Sequence, residues 1–368
     1  MPPPLRPVRY AVVGLGHIAQ VAVLPAFAHA RRNSRLVSVV SSDRTKREEL
    51  AKRYRLEQTY GYDDFDACLS EVDAVYIALP NSMHAAYTIR AAEAGVHVLC
   101  EKPMAVTVGE CERMIRACRQ ARVKLMVAYR LHFEPLNLAA IDIARRGRLG
   151  QLKYFNASFS MAVRRGNIRT KRAYGGGTLY DIGVYCINAA RNLFRSEPTE
   201  VSAVSVNSGL ASLSEIDETT AAILRFGDAR IATFVTSFNA ADVGSYRIVG
   251  TKGDLNVDPA FEYAEGLSYT LTIDGKTARK KSPKQDQFAA ELAYFSDCVL
   301  RDRKPEPSGE EGLQDVRIVQ ALYQSAKSGR PVTLPRFNKR KRPTGRQRIT
   351  RPGVKKPRLI KVQSAGRD

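Results

Sequence analysis

The stretch RYAVVGLGHIA, Arg9 to Ala19, joins a short apolar run to a glycine-rich turn and the start of a helical pattern. This order of strand, turn and helix is the context that a dinucleotide-binding turn requires. Gly14 permits the tight turn, and Gly16 lets the backbone approach a pyrophosphate. The alternative is a purely structural turn. We expect His17 to be an exposed turn residue rather than a catalyst. We predict that a dinucleotide is bound by Gly14, Leu15, Gly16, His17 and Ile18.

The rest of the chain divides into two regions with different sequence patterns. Up to Arg130, apolar runs alternate with amphipathic helical stretches, which predicts a doubly wound parallel sheet of the Rossmann type. Its runs are RYAVVG, RLVSVVSS, VDAVYIALP, GVHVLCEKP and KLMVAY, with a helical segment from Ile18 to Ala30. After about residue 150, longer runs with turns at Gly227-Asp228 and Lys252-Gly253 predict a large, mostly antiparallel sheet.

The fold class is therefore α/β, with an N-terminal Rossmann domain over residues 8–130 and an α+β domain with an open sheet over residues 131–335. Two helices, Phe288 to Leu300 and Glu310 to Ala326, close the second domain, and Gly329 ends the last of them. This second domain is expected to bind substrate and to form oligomers.

Composition excludes several classes of protein. An apolar content of 44% without a run of about 20 apolar residues indicates a globular chain with no membrane span. The N-terminus, MPPPLRPVRYAVVG, lacks the features of an export signal, so we expect a cytoplasmic protein. Six scattered cysteines form no C-x-x-C pair, so neither a disulfide framework nor a metal site is predicted.

The net charge of +21 is concentrated at the C-terminus. The basic tail, Arg336 to Asp368, contains thirteen Lys or Arg and one acid, and thus carries +12 of that charge. Its low apolar content predicts disorder, and we expect its removal to leave the fold and turnover intact. Solubility is the favoured role of the basic tail, and nucleic-acid binding is the alternative.

The second apolar run ends in SSDRTKR, where the adenosine ribose of a dinucleotide should lie. Asp43 could accept from a free 2′-hydroxyl, as NAD requires, whereas Ser41, Arg44 and Lys46 could surround a 2′-phosphate. The alternative makes Asp43 only the N-cap of the next helix. We favour NADP over NAD, with Ser41 and Lys46 among the candidate donors to its 2′-phosphate.

Polar residues follow three further strands at the edge of the sheet where ligands bind. They belong to the stretches ALPNSMH, CEKP and YRLHFEP. Lys102 would project beside the nicotinamide and donate to a substrate oxygen, with Glu101 as its local counter-charge. On spacing alone, a structural ion pair is an equal alternative. The cofactor contacts predicted here are Leu79, Pro80, Asn81, His84, Glu101, Lys102 and Arg130.

These stretches, in this order, resemble the Gfo/Idh/MocA oxidoreductase family. GGGTLYDIGVYCINAARNLF, Gly175 to Phe194, resembles the second signature of the family and carries Tyr185 in the form of its glucose-fructose oxidoreductase branch. PSGEEGLQDVRIVQALYQSAKSGRPV, Pro307 to Val332, is also similar to that branch. The resemblance extends from Arg9 to Val332. The chain departs from it in lacking Trp before the glycine triplet, where it reads Ile168-Arg169, and this leaves the sugar open.

The resemblance implies catalytic roles for Lys102, Tyr185 and Asp181 and a substrate contact at Tyr263. A phenol needs a nearby cation to release its proton near neutral pH, so Tyr185 would exchange the substrate proton beside Lys102. Asp181 lies one helical turn before Tyr185 and would orient it or the substrate. The alternative is a first-turn acid at a helix N-terminus. His132 is equally compatible with this crevice and with packing.

The implied activity is hydride transfer between NADP and an aldose, lactone or related polyol, including dismutation of two sugars on a retained cofactor. The alternatives are a simple NAD(P)-dependent dehydrogenase of xylose, a dihydrodiol or an inositol, and a non-enzymatic dinucleotide-binding regulator. Retention of Lys102 argues against the regulator. Because relatives pair the free sheet faces of their second domains, we expect a homodimer or homotetramer.

Overall fold

The computed structural model describes residues 6–227, 229–339 and 341–366. The first five residues of the Pro-rich N-terminus and Asp228 of the predicted Gly227-Asp228 turn lie outside the described residues.

The first sheet contains six parallel strands in the order β3-β2-β1-β4-β5-β6. This is the strand order of a Rossmann fold, so the predicted fold class is confirmed. The strands are β1 (Val8–Val13), β2 (Ser34–Val40), β3 (Gln58–Tyr60), β4 (Ala74–Ile77), β5 (His97–Cys100) and β6 (Leu125–Val127). Strand β3 was not among the five apolar runs, because its residues, QTY, include two polar side chains and form no apolar run.

Helices cover both faces of this sheet. They are α1 (Leu24–Ala26), which continues a π-helical turn (Ala19–Val23), α2 (Arg44–Tyr54), α3 (Phe65–Leu69), α4 (His84–Glu93) and α5 (Val108–Gln120). The helix predicted from Ile18 to Ala30 is therefore shorter and less regular than expected. Helix α5 begins with a reciprocal capping box between Thr107 and Glu110, which fixes where the chain leaves the Lys102 loop.

The second sheet contains nine strands in the order β14-β13-β12-β11-β7-β10-β9-β8-β15. All neighbours are antiparallel except β7 and β10, so the expectation of a mostly antiparallel sheet is confirmed. The strands are β7 (Leu152–Ala162), β8 (Pro198–Val206), β9 (Thr219–Phe226), β10 (Arg230–Ser237), β11 (Asn239–Gly250), β12 (Gly253–Val257), β13 (Ser268–Ile273), β14 (Lys276–Lys281) and β15 (Val332–Thr333).

One face of the second sheet is buried and the other is open. Along β9 the side chains alternate strictly between buried and accessible, as expected for a half-covered sheet. Phe155, Leu224 and Phe234 lie in the core of the buried face. The helices of this part of the chain are α6 (Pro135–Arg145), α7 (Val184–Phe194), α8 (Gln287–Leu300) and α9 (Gly309–Ser328).

Helix α8 packs on the first sheet, so the expectation that it closes the second domain was wrong, whereas α9 contacts the cores of both sheets. Phe288 and Leu292 of α8 belong to the same core cluster as Tyr10 and Val12 of the first sheet. In α9, a Cβ on Gly312 would come within 2.8 Å of Met104 Cβ, so this helix lies tightly against the loop that carries Lys102. The predicted positions of both helices are confirmed to within a few residues.

The basic tail differs from the expectation of disorder, because its described residues pack against the rest of the chain. Lys339 Nζ lies 2.6 Å from Glu311 Oε2 and 3.0 Å from Glu306 Oε1, and Arg342 Nη2 lies 2.7 Å from Glu197 Oε1. Composition predicted disorder because the tail has few apolar residues. The prediction failed because buried carboxylates elsewhere in the chain require cations, and the tail provides them.

Residues 6–227, 229–339 and 341–366 contain neither a membrane-spanning helix nor a metal-binding cluster. Within them, no helix has the length and apolar character needed to cross a bilayer. Within the same ranges, no group of three or more His, Cys, Asp or Glu side chains is arranged to hold a metal ion. All six cysteines are buried with free thiols.

Candidate active site

A cavity of about 520 Å³ lies at the carboxyl ends of the first sheet and faces the second sheet. Its volume is typical of a small-molecule or cofactor site. Every residue predicted from the sequence as a cofactor, substrate or catalytic contact lines this cavity: Gly14, Leu15, Gly16, His17, Ile18, Ser41, Lys46, Leu79, Pro80, Asn81, His84, Glu101, Lys102, Arg130, Asp181, Tyr185 and Tyr263. The structure thus brings all of these residues together in one cavity.

The glycine-rich turn has the geometry that a bound pyrophosphate needs. Gly14 has φ 94°, and a Cβ there would lie 2.5 Å from Ala78 O, so no larger residue fits. A Cβ on Gly16 would meet no atom within 4 Å, which leaves open space in front of the first helical turn. N–H groups of a first turn have no intrahelical acceptor. The turn therefore fits the phosphates of a dinucleotide.

His17 is partly buried in the cavity lining, so the expectation of an exposed turn residue was wrong. Burial, assisted by the positive charges of Arg169 and Lys356, lowers the pKa of His17. The imidazole is therefore neutral near neutral pH and adds no positive charge to the turn.

At the end of β2, the side chain of Asp43 accepts a hydrogen bond of 3.0 Å from the Lys46 backbone N–H and caps α2. The helix-cap alternative is thus correct for this acid. Ser41 and Lys46 line the cavity, whereas Arg44 is exposed and pairs with Glu48 at 2.6 Å. Arg44, which the sequence offered as a further donor to a 2′-phosphate, does not line the cavity, and its guanidinium lies along the solvated face of α2.

Lys102 is held by Asp181 of the second part of the chain. Its Nζ donates to Asp181 O at 3.0 Å and lies 3.6 Å from Asp181 Oδ1, while Arg169 Nε lies 2.6 Å from Asp181 Oδ2. Burial opposes both charges, but the opposite charges outweigh it: the pKa of Lys102 is raised and that of Asp181 is lowered. Lys102 is therefore an ammonium donor near neutral pH.

Glu101 interacts electrostatically with Lys102, as expected, but its side-chain carboxylate bonds elsewhere. Its Oε1 accepts from Tyr76 OH at 2.8 Å, and that hydroxyl also lies 2.8 Å from Glu291 Oε1. Burial raises the pKa of Glu101 and, more strongly, that of Glu291. The side chain of Glu101 thus points into a buried acid–phenol cluster beneath Lys102, and the nearest carboxylate on the cavity side is Asp181.

Tyr185 lies between two cations. Lys102 Nζ is 4.8 Å from its ring centroid, and the Arg130 guanidinium carbon is 5.1 Å from the same centroid on a cation–π contact. Arg130 Nη2 also donates to the Tyr185 hydroxyl oxygen at 3.2 Å. Positive charge therefore lies next to the oxygen that becomes negative when the phenol loses its proton.

Arg130 is rigidly held in this position. Its guanidinium donates to Phe261 O and to Glu262 O, the latter at 3.2 Å, and to Gln287 Oε1 at 2.5 Å. Burial lowers the pKa of Arg130, but its negative neighbours outweigh that effect and raise it. The sequence predicted Arg130 only as a cofactor contact. Its bond to Tyr185 was missed, because no spacing rule relates residues from different domains.

The two histidines His84 and His132 are both held by contacts within the protein. His84 is buried, with Nδ1 2.9 Å from Pro103 O and Nε2 2.9 Å from Leu79 O, so it fixes the two loops on either side. His132 lies outside the cavity lining, 2.7 Å from Asn188 Oδ1 and stacked on Tyr129. Burial lowers the pKa of His132 to about 4. The packing alternative is correct for His132.

Arg169 is a site residue whose role the sequence did not predict. It lines the cavity and binds the carboxylate that also binds Lys102. It directly follows Ile168, where the chain lacks the Trp of its relatives, and it keeps the Arg of their Trp-Arg pair, which was the available signal. The glycine triplet explains how it is placed: a Cβ on Gly176 would lie 2.3 Å from Arg169 O.

Comparison with known proteins agrees with this geometry. Residues 8–129 match the oxidoreductase family with an NAD-binding Rossmann fold, and residues 138–256 match the GFO/IDH/MocA C-terminal domain. A D-xylose 1-dehydrogenase [NADP(+)] of Haloarcula marismortui is 32% identical over 89% of this chain and 93% of the relative.

Solved structures show the same relationship. An aldose-aldose oxidoreductase from Caulobacter crescentus, complexed with glycerol, is 37% identical with a TM-score of 0.85 and covers 89% of this chain and all of that one. A 3-ketoreductase from Actinomadura kijaniata, in complex with NADP and TDP-benzene, is 27% identical with a TM-score of 0.80 and covers 87% and 98%. With its glycine-rich turn, its cavity and its Lys102–Asp181–Tyr185 cluster, the chain belongs to the Gfo/Idh/MocA family of oxidoreductases.

Proposed function

We propose that the protein is an NADP-dependent oxidoreductase that transfers a hydride between the nicotinamide and a sugar, either an aldose or its lactone or a related polyol. The observation that carries the proposal is the position of Tyr185, Lys102 and Asp181 in the cavity that the glycine-rich turn also lines. The named activities of the xylose dehydrogenase and the aldose-aldose oxidoreductase support a sugar substrate. The division into residues 8–130 for cofactor and 131–335 for substrate is part of this proposal.

The residues act on the substrate hydroxyl and its proton. When bound, the cofactor provides the acceptor for the hydride that leaves the substrate carbon. Tyr185 takes the hydroxyl proton during oxidation and returns it during reduction, and Arg130 stabilises its oxygen in the charged form. Lys102 donates to the substrate oxygen, and Asp181 positions Lys102. Tyr263, whose ring packs on Arg130, contacts the substrate.

The donor set at the end of β2 fits NADP better than NAD. The carboxylate of Asp43 is engaged as a helix cap, and Ser41 and Lys46 line the cavity beside it. A carboxylate used in this way is less available to a ribose 2′-hydroxyl, whereas a hydroxyl and an ammonium are suitable donors to a 2′-phosphate. The NADP named with two relatives supports the same choice.

The direct test is turnover of purified full-length protein with NADP and a panel of aldoses that includes xylose and glucose. We expect the absorbance of reduced nicotinamide to rise with at least one aldose. Tyr185→Phe is expected to lower kcat by roughly a hundredfold to a thousandfold, because the proton acceptor is removed. Absence of turnover with every aldose and polyol, or an unchanged kcat in Tyr185→Phe, would contradict the proposal.

A second candidate, the dismutation of two sugars on a retained cofactor, is favoured by the similarity to the aldose-aldose oxidoreductase. The two forms of the activity differ in one observable. Dismutation predicts that protein freed of unbound nucleotide still converts an aldose when a second sugar or lactone is added as hydride acceptor. A simple dehydrogenase requires added NADP in every turnover.

We also propose that the open face of the second sheet pairs with a second copy of the chain. Several apolar side chains are exposed on this open face. The most exposed is Val204, with 67% of its surface accessible. The others are Tyr154, Val206, Ile223, Ile231, Val235 and Val243. Such a face on a nine-stranded sheet is an expected association surface.

Light scattering should therefore give a mass of two or four chains of 40.8 kDa each. Val235→Glu places a charge on β10 between Ala221 and Ser158 of the neighbouring strands, and it is expected to shift the mass towards one chain. Lys327→Ala, on the exposed end of α9, is the control that should leave the mass unchanged. A wild-type protein that is monomeric at micromolar concentration would contradict this assembly.

A further inference from the structure

The last described residues of the basic tail cross the opening of the cavity. Gln20, which is fully buried next to the glycine-rich turn, holds Ile360 by two bonds: Gln20 Nε2 donates to Ile360 O at 2.9 Å and Gln20 Oε1 accepts from Ile360 N at 2.8 Å. Ile360 itself is 5% exposed and belongs to the core cluster of the first sheet. The chain direction at this point is thus fixed by buried contacts.

From this anchor the tail continues to the opposite side of the cavity. Arg164, next to the end of β7, donates its backbone N–H to Ala365 O at 2.9 Å and its Nε to Gly366 O at 2.6 Å. Val163 and Gly366 form an antiparallel bridge. Ser364, Ala365 and Gly366 line the same cavity as the glycine-rich turn. The tail is therefore attached on both sides of the cofactor cleft.

Lys361 follows the anchored Ile360 directly and lies at the end of β2. Its Nζ is 2.9 Å from Thr45 Oγ1 and 3.7 Å from Asp43 Oδ1. Asp43 lines the cavity together with Ser41 and Lys46. A second ammonium thus lies against Asp43, just outside the lining of the part of the cavity where the proposed function places the adenosine ribose.

This position matters because of the charge of Asp43. A carboxylate at the end of this strand disfavours a 2′-phosphate by repulsion and favours a free 2′-hydroxyl. Lys46 lines the cavity, and the Arg47 guanidinium donates to Ser41 O, so two cations already lie at this strand end. Lys361 adds a third beside the carboxylate of Asp43 itself, and because its side chain is 56% exposed, it can contact both that carboxylate and a bound anion.

We propose that Lys361 of the basic tail completes the 2′-phosphate subsite together with Ser41 and Lys46 and makes the cleft select the phosphorylated dinucleotide. This inference rests on the proposed NADP-dependent function. It assigns a specificity-determining role to Lys361, which lies about 320 positions after Ser41 in the chain. The sequence had predicted 2′-phosphate contacts only at the end of β2.

The test measures dissociation constants of NADPH and NADH, and of 2′,5′-ADP and AMP, for the full chain and for Lys361→Ala. The variant is expected to bind NADPH and 2′,5′-ADP roughly fivefold more weakly, as for a half-exposed ion contact. Binding of NADH and AMP should be unchanged or slightly stronger. The difference should diminish at high salt, because exposed charges are screened.

Two matched variants separate a contact from a general effect of charge. Lys355→Ala removes the same charge from an exposed part of the basic tail and should leave the ratio of NADPH to NADH affinity unchanged. Lys361→Arg keeps the charge and should retain most of the wild-type ratio. An equal loss in Lys355→Ala, or a loss in Lys361→Ala that is the same for both dinucleotides, would overturn the proposal.

The wild-type measurement separates the cofactor preference of the chain from the role of Lys361. A wild-type chain that does not prefer NADPH to NADH contradicts the NADP choice in the proposed function, whatever the variants do. A wild-type chain that prefers NADPH, with an unchanged ratio in Lys361→Ala, leaves that function standing and overturns only the role of Lys361.

Discussion

Lys102→Ala is expected to lower kcat for aldose oxidation by about a thousandfold, because the substrate oxygen loses its charged donor. Asp181 and Arg169 remain, so the variant also leaves a buried carboxylate with only one of its two cations. The measurement is steady-state turnover with NADP, accompanied by the dissociation constant of NADPH. Since the glycine-rich turn is untouched, that constant should change by no more than about a few-fold.

The control for this prediction is Lys327→Ala, which removes an ammonium from an exposed position on α9. It should retain wild-type turnover. A Lys102→Ala protein that is folded, binds NADPH normally and keeps a kcat within about tenfold of wild type would contradict the role assigned to Lys102.

Lys339→Ala is expected to lower the free energy of unfolding by about 3 kcal/mol, at the low end of the cost of breaking a buried ion pair, because Arg191 still pairs with Glu311. The Lys339 side chain is 5% exposed and binds Glu311, which is 1% exposed. Burial raises the pKa of Glu311, but Arg191 and Lys339 outweigh burial and hold it well below its usual range. The measurement is chemical denaturation near neutral pH, with residual structure followed by circular dichroism.

A double-mutant cycle checks the cause of this loss. Glu311→Gln removes the charge that Lys339 neutralises, so adding it to Lys339→Ala should recover part of the stability. Arg342 pairs with Glu197 in the same cluster, so a chain that ends at Pro335 should be less stable than either single variant. An unchanged unfolding free energy in Lys339→Ala, or a fully stable truncated chain, would show that the basic tail is not part of the fold.

The first sheet and the cofactor turn could be predicted from the sequence because their signals are local. The turn at Gly14 and Gly16 follows directly on an apolar run, and each later strand end carries its polar residues within a few positions. The second sheet was predictable as mostly antiparallel for the same reason. Its one parallel pair, β7 with β10, was not, because it joins strands that are far apart in the chain.

The partners of the charged groups could not be predicted, since they come from distant segments. Lys102 pairs with Asp181 rather than with its neighbour Glu101, whose side chain bonds to Tyr76. The phenol of Tyr185 accepts from Arg130, which the sequence placed only at the cofactor. The family resemblance identified which residues share the site, and only the fold showed how they pair.

The basic tail shows the limit of composition as a guide. Its charge predicts disorder when the tail is considered alone. In the fold, acidic residues near α7 and α9 form ion pairs with cations of the basic tail. The buried side-chain amide of Gln20 also forms hydrogen bonds with the backbone of Ile360. Whether a charged segment is ordered therefore depends on the charges that face it, and sequence composition does not report these.

We propose that this chain moves a hydride from a sugar carbon to NADP. The most direct measurement uses an aldose with deuterium at the carbon that is oxidised and follows the label by mass spectrometry. The proposed function predicts deuterium in the reduced nicotinamide and slower turnover of the labelled sugar. Turnover of the labelled aldose that leaves the nicotinamide without deuterium would contradict the claim.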